Sequence, residues 1–143
     1  MGKLLVLPQK VNIFKKNYDY GCQKNESNFY VYRINYINEN GIKIELLQSE
    51  IDLFCKKYNL KMFINFFNGK ALDLFPEIKT DDLIQWQENF LVKLEEKFNE
   101  KKCFMCKNNV PEEGIVIRIE RNDRFKAFKL KSKKFLILES NQE

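Results

Sequence analysis

The chain has 143 residues, 44% of them hydrophobic, which suits one domain, or a large piece of one, with a real core. There is no His, which excludes Ser-His-Asp and Cys-His catalysis and His-ligated metals, so any proton transfer must use carboxylates, Lys, Tyr or substrate. The formal net charge of +5 is unevenly placed: residues 101–134 hold eleven Lys/Arg against four acids, a bias that suits either a solvated face or a polyanion such as phosphate, nucleotide or nucleic acid.

Residues 1–16 are left unassigned, and 1–27 as a whole are poorly patterned. The run Leu4-Leu5-Val6-Leu7 is too short for a signal peptide, and no stretch is long enough to span a membrane. A cytoplasmic, reducing setting is therefore expected, with the cysteines as thiols. Tyr18-Asp19-Tyr20-Gly21-Cys22 reads as an aromatic-rich turn. Residues 28–37 are dense in aromatic and β-branched side chains and predict a strand. Asn38-Glu39-Asn40-Gly41 predicts a turn with Gly at positive φ, and Ile42–Leu46 the returning strand. Ser49-Glu50-Ile51-Asp52 is a capping-box pattern that predicts a helix through about Tyr58, with Cys55 on its apolar side.

Lys61–Asn68 is a further apolar run, expected as a strand. Asp81–Asn99 predicts a longer amphipathic helix with Leu83, Trp86, Phe90, Leu91, Leu94 and Phe98 as a core stripe. Gly114–Glu120 and Phe125–Lys131 alternate as two strands joined at residues 121–124, and a short element follows Ser132. No repeat, linker or second domain is visible, and the class is α+β.

The stretch Pro111-Glu-Glu-Gly-Ile-Val-Ile-Arg118, followed by Phe128-Lys-Leu-Lys-Ser132, carries the chemistry. Lys129 and Lys131 lie two apart on a strand and share a face, while Leu130 points to the core. Glu113 precedes the neighbouring strand, beside Gly114. Two lysines can neutralise an α-phosphate during nucleotidyl transfer, and the acid can hold a divalent metal through oxygen. Either half alone is commonplace; the ordered pair, one hairpin apart, is the specific signal.

Glu113-Gly-Ile-Val-Ile-Arg118 resembles motif IV of the covalent nucleotidyltransferases, the superfamily of DNA ligases, RNA ligases and mRNA-capping enzymes. Lys129-Leu-Lys131-Ser132 resembles motif V, and Phe29-Tyr-Val-Tyr-Arg-Ile34 resembles motif IIIa, whose aromatic residue stacks on the nucleobase. In that register Tyr32 is the stacking residue, although Arg33 stands where the family often has Asp. Together with Tyr18–Cys22 and Cys103-Phe-Met-Cys106 leading into Val110–Gly114, the resemblance is to phage-type ATP-dependent RNA ligases and covers residues 17–143 as the C-terminal part of the catalytic domain.

The resemblance implies an ATP-grasp-like ligase architecture of antiparallel sheets with flanking helices. It implies ATP with Mg²⁺ as cofactors, Glu113, Lys129 and Lys131 as catalytic and nucleotide-binding residues, Glu113 as the Mg²⁺ ligand, and RNA as substrate, with Arg118 on its backbone. The adenylylated lysine of motif I, Lys-x-Asp/Asn-Gly, is missing: Asp-Gly does not occur, and two residues before Asn40-Gly41 and Asn68-Gly69 stand Asn38 and Phe66. The motif III pattern is also absent. The expectation is an RNA ligase-like fragment that is inactive alone, with exposed apolar surface. The alternatives are a non-catalytic nucleotide- or RNA-binding module and a complementing half whose partner chain carries the motif I lysine.

Cys103-x-x-Cys106 has the spacing of half a zinc knuckle, and with no His a complete Zn²⁺ site would need Cys22 and Cys55 as well. Buried free thiols are the other reading.

Overall fold

The structure, a computed structural model, describes residues 3–8, 17–23, 25–122 and 124–141. Among them, ten strands and helices form an α+β arrangement: β1 (Lys3–Pro8), β2 (Asn35–Ile37), β3 (Lys43–Glu45), α1 (Gln48–Tyr58), β4 (Phe67–Gly69), α2 (Ala71–Leu74), α3 (Leu83–Leu94), β5 (Gly114–Glu120), β6 (Phe125–Lys131) and α4 (Lys133–Ser140). A four-stranded antiparallel sheet runs β4-β1-β5-β6, and β2 and β3 form a separate two-stranded sheet. No helix of the described residues is long and apolar enough to cross a membrane.

The largest difference from expectation is β1. Residues 3–8 lie in the unassigned segment, yet they form an inner strand, pairing with β4 on one side and with all but the first residue of β5 on the other. Its short apolar run has no alternation to reveal a strand in the sequence. The strand expected over 28–37 is reduced to its last three residues. Val31 instead donates its N–H to the Lys61 carbonyl at 2.8 Å in an isolated parallel bridge with Met62. The turn is as expected: Gly41 has φ 76°, and Asn38 Oδ1 accepts from the N–H groups of Asn40 and Ile42.

Helix α1 begins two residues earlier than its capping pattern suggests. Leu47 is the N-cap, and Glu50 reaches back to accept the Leu47 N–H at 2.7 Å, so Ser49 lies inside the first turn rather than capping it. Asn59 ends the helix in the left-handed region at φ 52°. Helix α3 starts where Asp82 accepts from Ile84 and Gln85. The predicted helix to Asn99 continues as one π-turn, Glu95–Asn99. Of its predicted stripe, Phe90 and Leu94 are buried and Trp86 and Phe98 pack on them, whereas Leu83 and Leu91 remain exposed.

Three cores result. The main one joins Phe75, Phe90 and Leu94 to Ile115 and Ile117 of β5. A second gathers Tyr18, Cys103, Cys106, Val110 and Phe135, and a third Val31, Ile51 and Cys55. Phe29, Tyr32, Ile37, Leu53 and Ile64 stay largely exposed.

Candidate nucleotide site

The β5–β6 hairpin forms over the predicted residues because each strand alternates. Ile115 and Ile117 enter the main core and Leu130 packs against it, which turns Lys129 and Lys131 to the other face. The register sets Gly114 across from Lys131 and Val116 across from Lys129. Ser132 N–H extends the ladder to the Glu113 carbonyl at 3.0 Å, and its hydroxyl then caps α4 by accepting from Phe135 N–H at 3.2 Å. Gly114 has no side chain to occupy the space opposite Lys131.

Both lysines are exposed. Lys131 Nζ lies 3.5 Å from Glu139 and 5.7 Å from the Phe135 ring centre. Among the described residues Lys129 forms no ion pair. The same sheet face closes towards its far end, where Arg118 and Glu120 are buried.

Glu113 is only 1% exposed, which bears directly on its expected role. Its carboxylate accepts the Tyr20 hydroxyl and lies against the second core rather than beside the open lysines. Burial, then the hydrogen bond to Glu113, pushes the Tyr20 phenol well above its ordinary range. Burial and then the Glu113 charge do the same to Tyr18, which donates to the Pro111 carbonyl at 2.7 Å.

Asp19 explains why this turn holds. One carboxylate oxygen accepts from Gly21 and Lys107 N–H, at 2.7 and 3.0 Å, and the other accepts from Asn108 N–H at 2.9 Å. These backbone bonds hold its carboxyl below the usual range. Tyr20 and Asp19 thus shape the surroundings of Glu113. The aromatic turn was visible in the sequence; its attachment to residues 103–113 was not, because the contact spans about ninety residues.

Arg118 does not sit where a nucleic acid could reach it. It is 4% exposed, donates to the Leu46 carbonyl at 2.9 Å, pairs with Glu120 at 2.8 Å and lies 3.8 Å from the Phe125 ring centre. Glu120 in turn accepts the Gln48 N–H at 2.9 Å, filling the donor-rich start of α1. The pair fastens the β3–α1 junction to the sheet. An Arg-x-Glu spacing on a strand was the available signal, since both side chains then share a face.

Tyr32 is 71% exposed and follows Val31, which packs with Ile51 and Cys55 in the third core. Tyr30 next to it already stacks on Phe63.

The four cysteines do not converge. Cys103 and Cys106 share the second core, Cys55 lies in the third, and the Cys22 thiol accepts from Asn28 at 3.3 Å. Burial, then the hydrogen bond with Cys103, pushes the Cys106 thiol up to about 12. Among the described residues no group of three or more Cys, Asp or Glu side chains could hold a metal. The expected four-thiolate Zn²⁺ site is therefore not formed. The Glu113 carboxylate, the expected Mg²⁺ ligand, is buried and accepts the Tyr20 hydroxyl.

Comparison with known proteins finds no matching family model, no matching curated protein and no matching solved structure.

Proposed function

We propose that the chain is an RNA ligase-like nucleotidyltransferase fragment that binds the phosphates of ATP or AMP through Lys129 and Lys131 and cannot accept AMP by itself. The observation that carries the reading is the β5–β6 register, in which Lys131 faces a glycine and Lys129 faces Val116, with Glu113 one residue before the strand. Two exposed ammonium groups on one sheet face, over an absent side chain, suit a polyphosphate.

The role of Glu113 is narrower in this proposal than the family resemblance suggests. Its carboxylate, bound by Tyr20, orders the start of β5, and no chemical step is routed through a metal on it. Tyr32 is the proposed platform for the adenine, being an exposed ring in the segment that resembles motif IIIa. RNA is the proposed second ligand, and the motif I lysine is not among these 143 residues. The lack of Lys-x-Asp/Asn-Gly favours a binding module or complementing half over a self-sufficient enzyme.

The test is ATP binding at equilibrium. Charge-assisted hydrogen bonds contribute roughly 1.5–3 kcal/mol each, so Lys129→Ala with Lys131→Ala is expected to weaken ATP at least about tenfold. The melting transition should barely move, because both side chains are exposed. Undiminished ATP affinity in the double variant would remove the basis of the reading.

A further inference from the structure

Among the described residues the β2–β3 hairpin is a sheet of two strands, with an edge on each side. Two strands alone are marginal; a stable sheet needs three or more with an apolar face. Tyr36 and Ile44 stand opposite each other and are 57% and 48% exposed. They share a face with Ile34 and Leu46, which pack on the third core, so apolar surface continues outwards along the hairpin. The hydrogen bonds fix which way each peptide group points. Asn38 N–H donates to the Ile42 carbonyl and Leu46 N–H to the Ile34 carbonyl, both at 3.0 Å. Alternation by two makes Tyr36–Ile44 the hydrogen-bonded pair between them, which turns the backbone N–H and C=O groups of Lys43 and Glu45 to the outer edge of β3.

We propose that this edge joins a second copy of the chain, β3 against β3, antiparallel and centred on Ile44, as a two-fold dimer. The run Lys43-Ile44-Glu45 is complementary to itself in that register. Ile44 meets its own copy as a close pair without backbone bonds. Lys43 stands opposite the copy's Glu45 and Glu45 opposite the copy's Lys43, and each of these pairs exchanges two backbone hydrogen bonds. Glu45 also pairs with Arg33 of its own chain at 2.5 Å, which holds the carboxylate on the polar face of the hairpin. The product is a four-stranded sheet, β2-β3-β3-β2, whose apolar face carries Tyr36 and Ile44 of both copies. The other long or bare edges do not match themselves in this way. β2 about Tyr36 sets Asn35 against Ile37, with no charge pair. β6 carries Lys126, Lys129 and Lys131 and no acid, so two copies of that edge repel each other. The contact is small beside the ~1,200–2,000 Å² of a stable interface, so the dimer is weak and forms at high protein concentration.

Sedimentation equilibrium of the full chain from about 10 μM to 1 mM tests this, with the urea midpoint of each variant as the check on folding. Two-fold symmetry doubles each substitution. Lys43→Glu sets acid against acid at both ends of the contact, and Glu45→Lys sets lysine against lysine. Each is expected to weaken the dimer at least about tenfold. The loss of the exposed Arg33 pair in Glu45→Lys should hardly move its urea midpoint. Mixed in equal amounts, the two variants present complementary edges and are expected to associate with each other about as strongly as the wild type.

A wild type that stays monomeric at about 1 mM would overturn the proposal. So would a dimer unaltered in both variants, which would use another face, or a mixture no more associated than either variant alone. Lys129 and Lys131 lie on the other sheet, so ATP binding is expected unchanged throughout, and its presence or absence bears on the nucleotide reading alone.

Discussion

Incubated with labelled ATP and Mg²⁺, the chain is expected to carry no label after denaturing electrophoresis. A lysine–AMP bond forms when a lysine attacks the α-phosphorus in line with departing pyrophosphate, while other cations neutralise the phosphate oxygens. Lys129 and Lys131 resemble the neutralising pair, which leaves the attack to a lysine the sequence does not supply in its motif. The two Asn-Gly pairs that come nearest to that motif have other work. Asn40-Gly41 forms the tip of the β2–β3 hairpin, with Gly41 at φ 76°. Asn68-Gly69 lies in β4, paired with Leu5 and Leu4. The effect is all or none: a labelled band lost on mutating one lysine would contradict it. Ligation restored by a second chain bearing Lys-x-Asp/Asn-Gly would fit the complementing-half form of the proposal.

The second large effect concerns Arg118. Arg118→Ala is expected to destabilise the chain by about 3–5 kcal/mol, because Glu120 is left charged and buried without its partner. That is a large part of the ~5–15 kcal/mol that holds a typical domain together. At the usual urea sensitivity of ~1–3 kcal/mol per molar, the midpoint falls by at least about 1 M. Combining Arg118→Met with Glu120→Gln should recover part of the loss, since the amide oxygen still accepts the Gln48 N–H and no charge remains buried. A surface arginine would behave differently. An unchanged urea midpoint in Arg118→Ala would mean that the side chain is not locked between Leu46, Glu120 and Phe125.

These two expectations mark where the sequence was legible. The bounds of β5 and β6, the turn at Asn38–Gly41 and the start of an element after Ser132 could all be read, because alternation, glycine and a capping hydroxyl are local signals. The inner strand β1 was missed because its apolar run, Leu4–Leu7, does not alternate and is too short to separate strand from helix by periodicity. Residues 28–34 were over-read as strand because aromatic and β-branched content reports a tendency to pack, not a pairing partner. The Lys129–Lys131 face followed from a period of two. The burial of Glu113 and Arg118 did not, since it depends on Tyr20 and Leu46, which reach them across 93 and 72 residues of sequence.

Lysine acylation with and without ATP, read by mass spectrometry, tests the central claim most directly. Bound phosphates shield the amines they touch, so the account predicts ATP-dependent protection at Lys129 and Lys131, and little change at Lys101, Lys102 and Lys134. Protection confined to Lys101, Lys102 and Lys134, or no protection of Lys129 and Lys131 at saturating ATP, would contradict it.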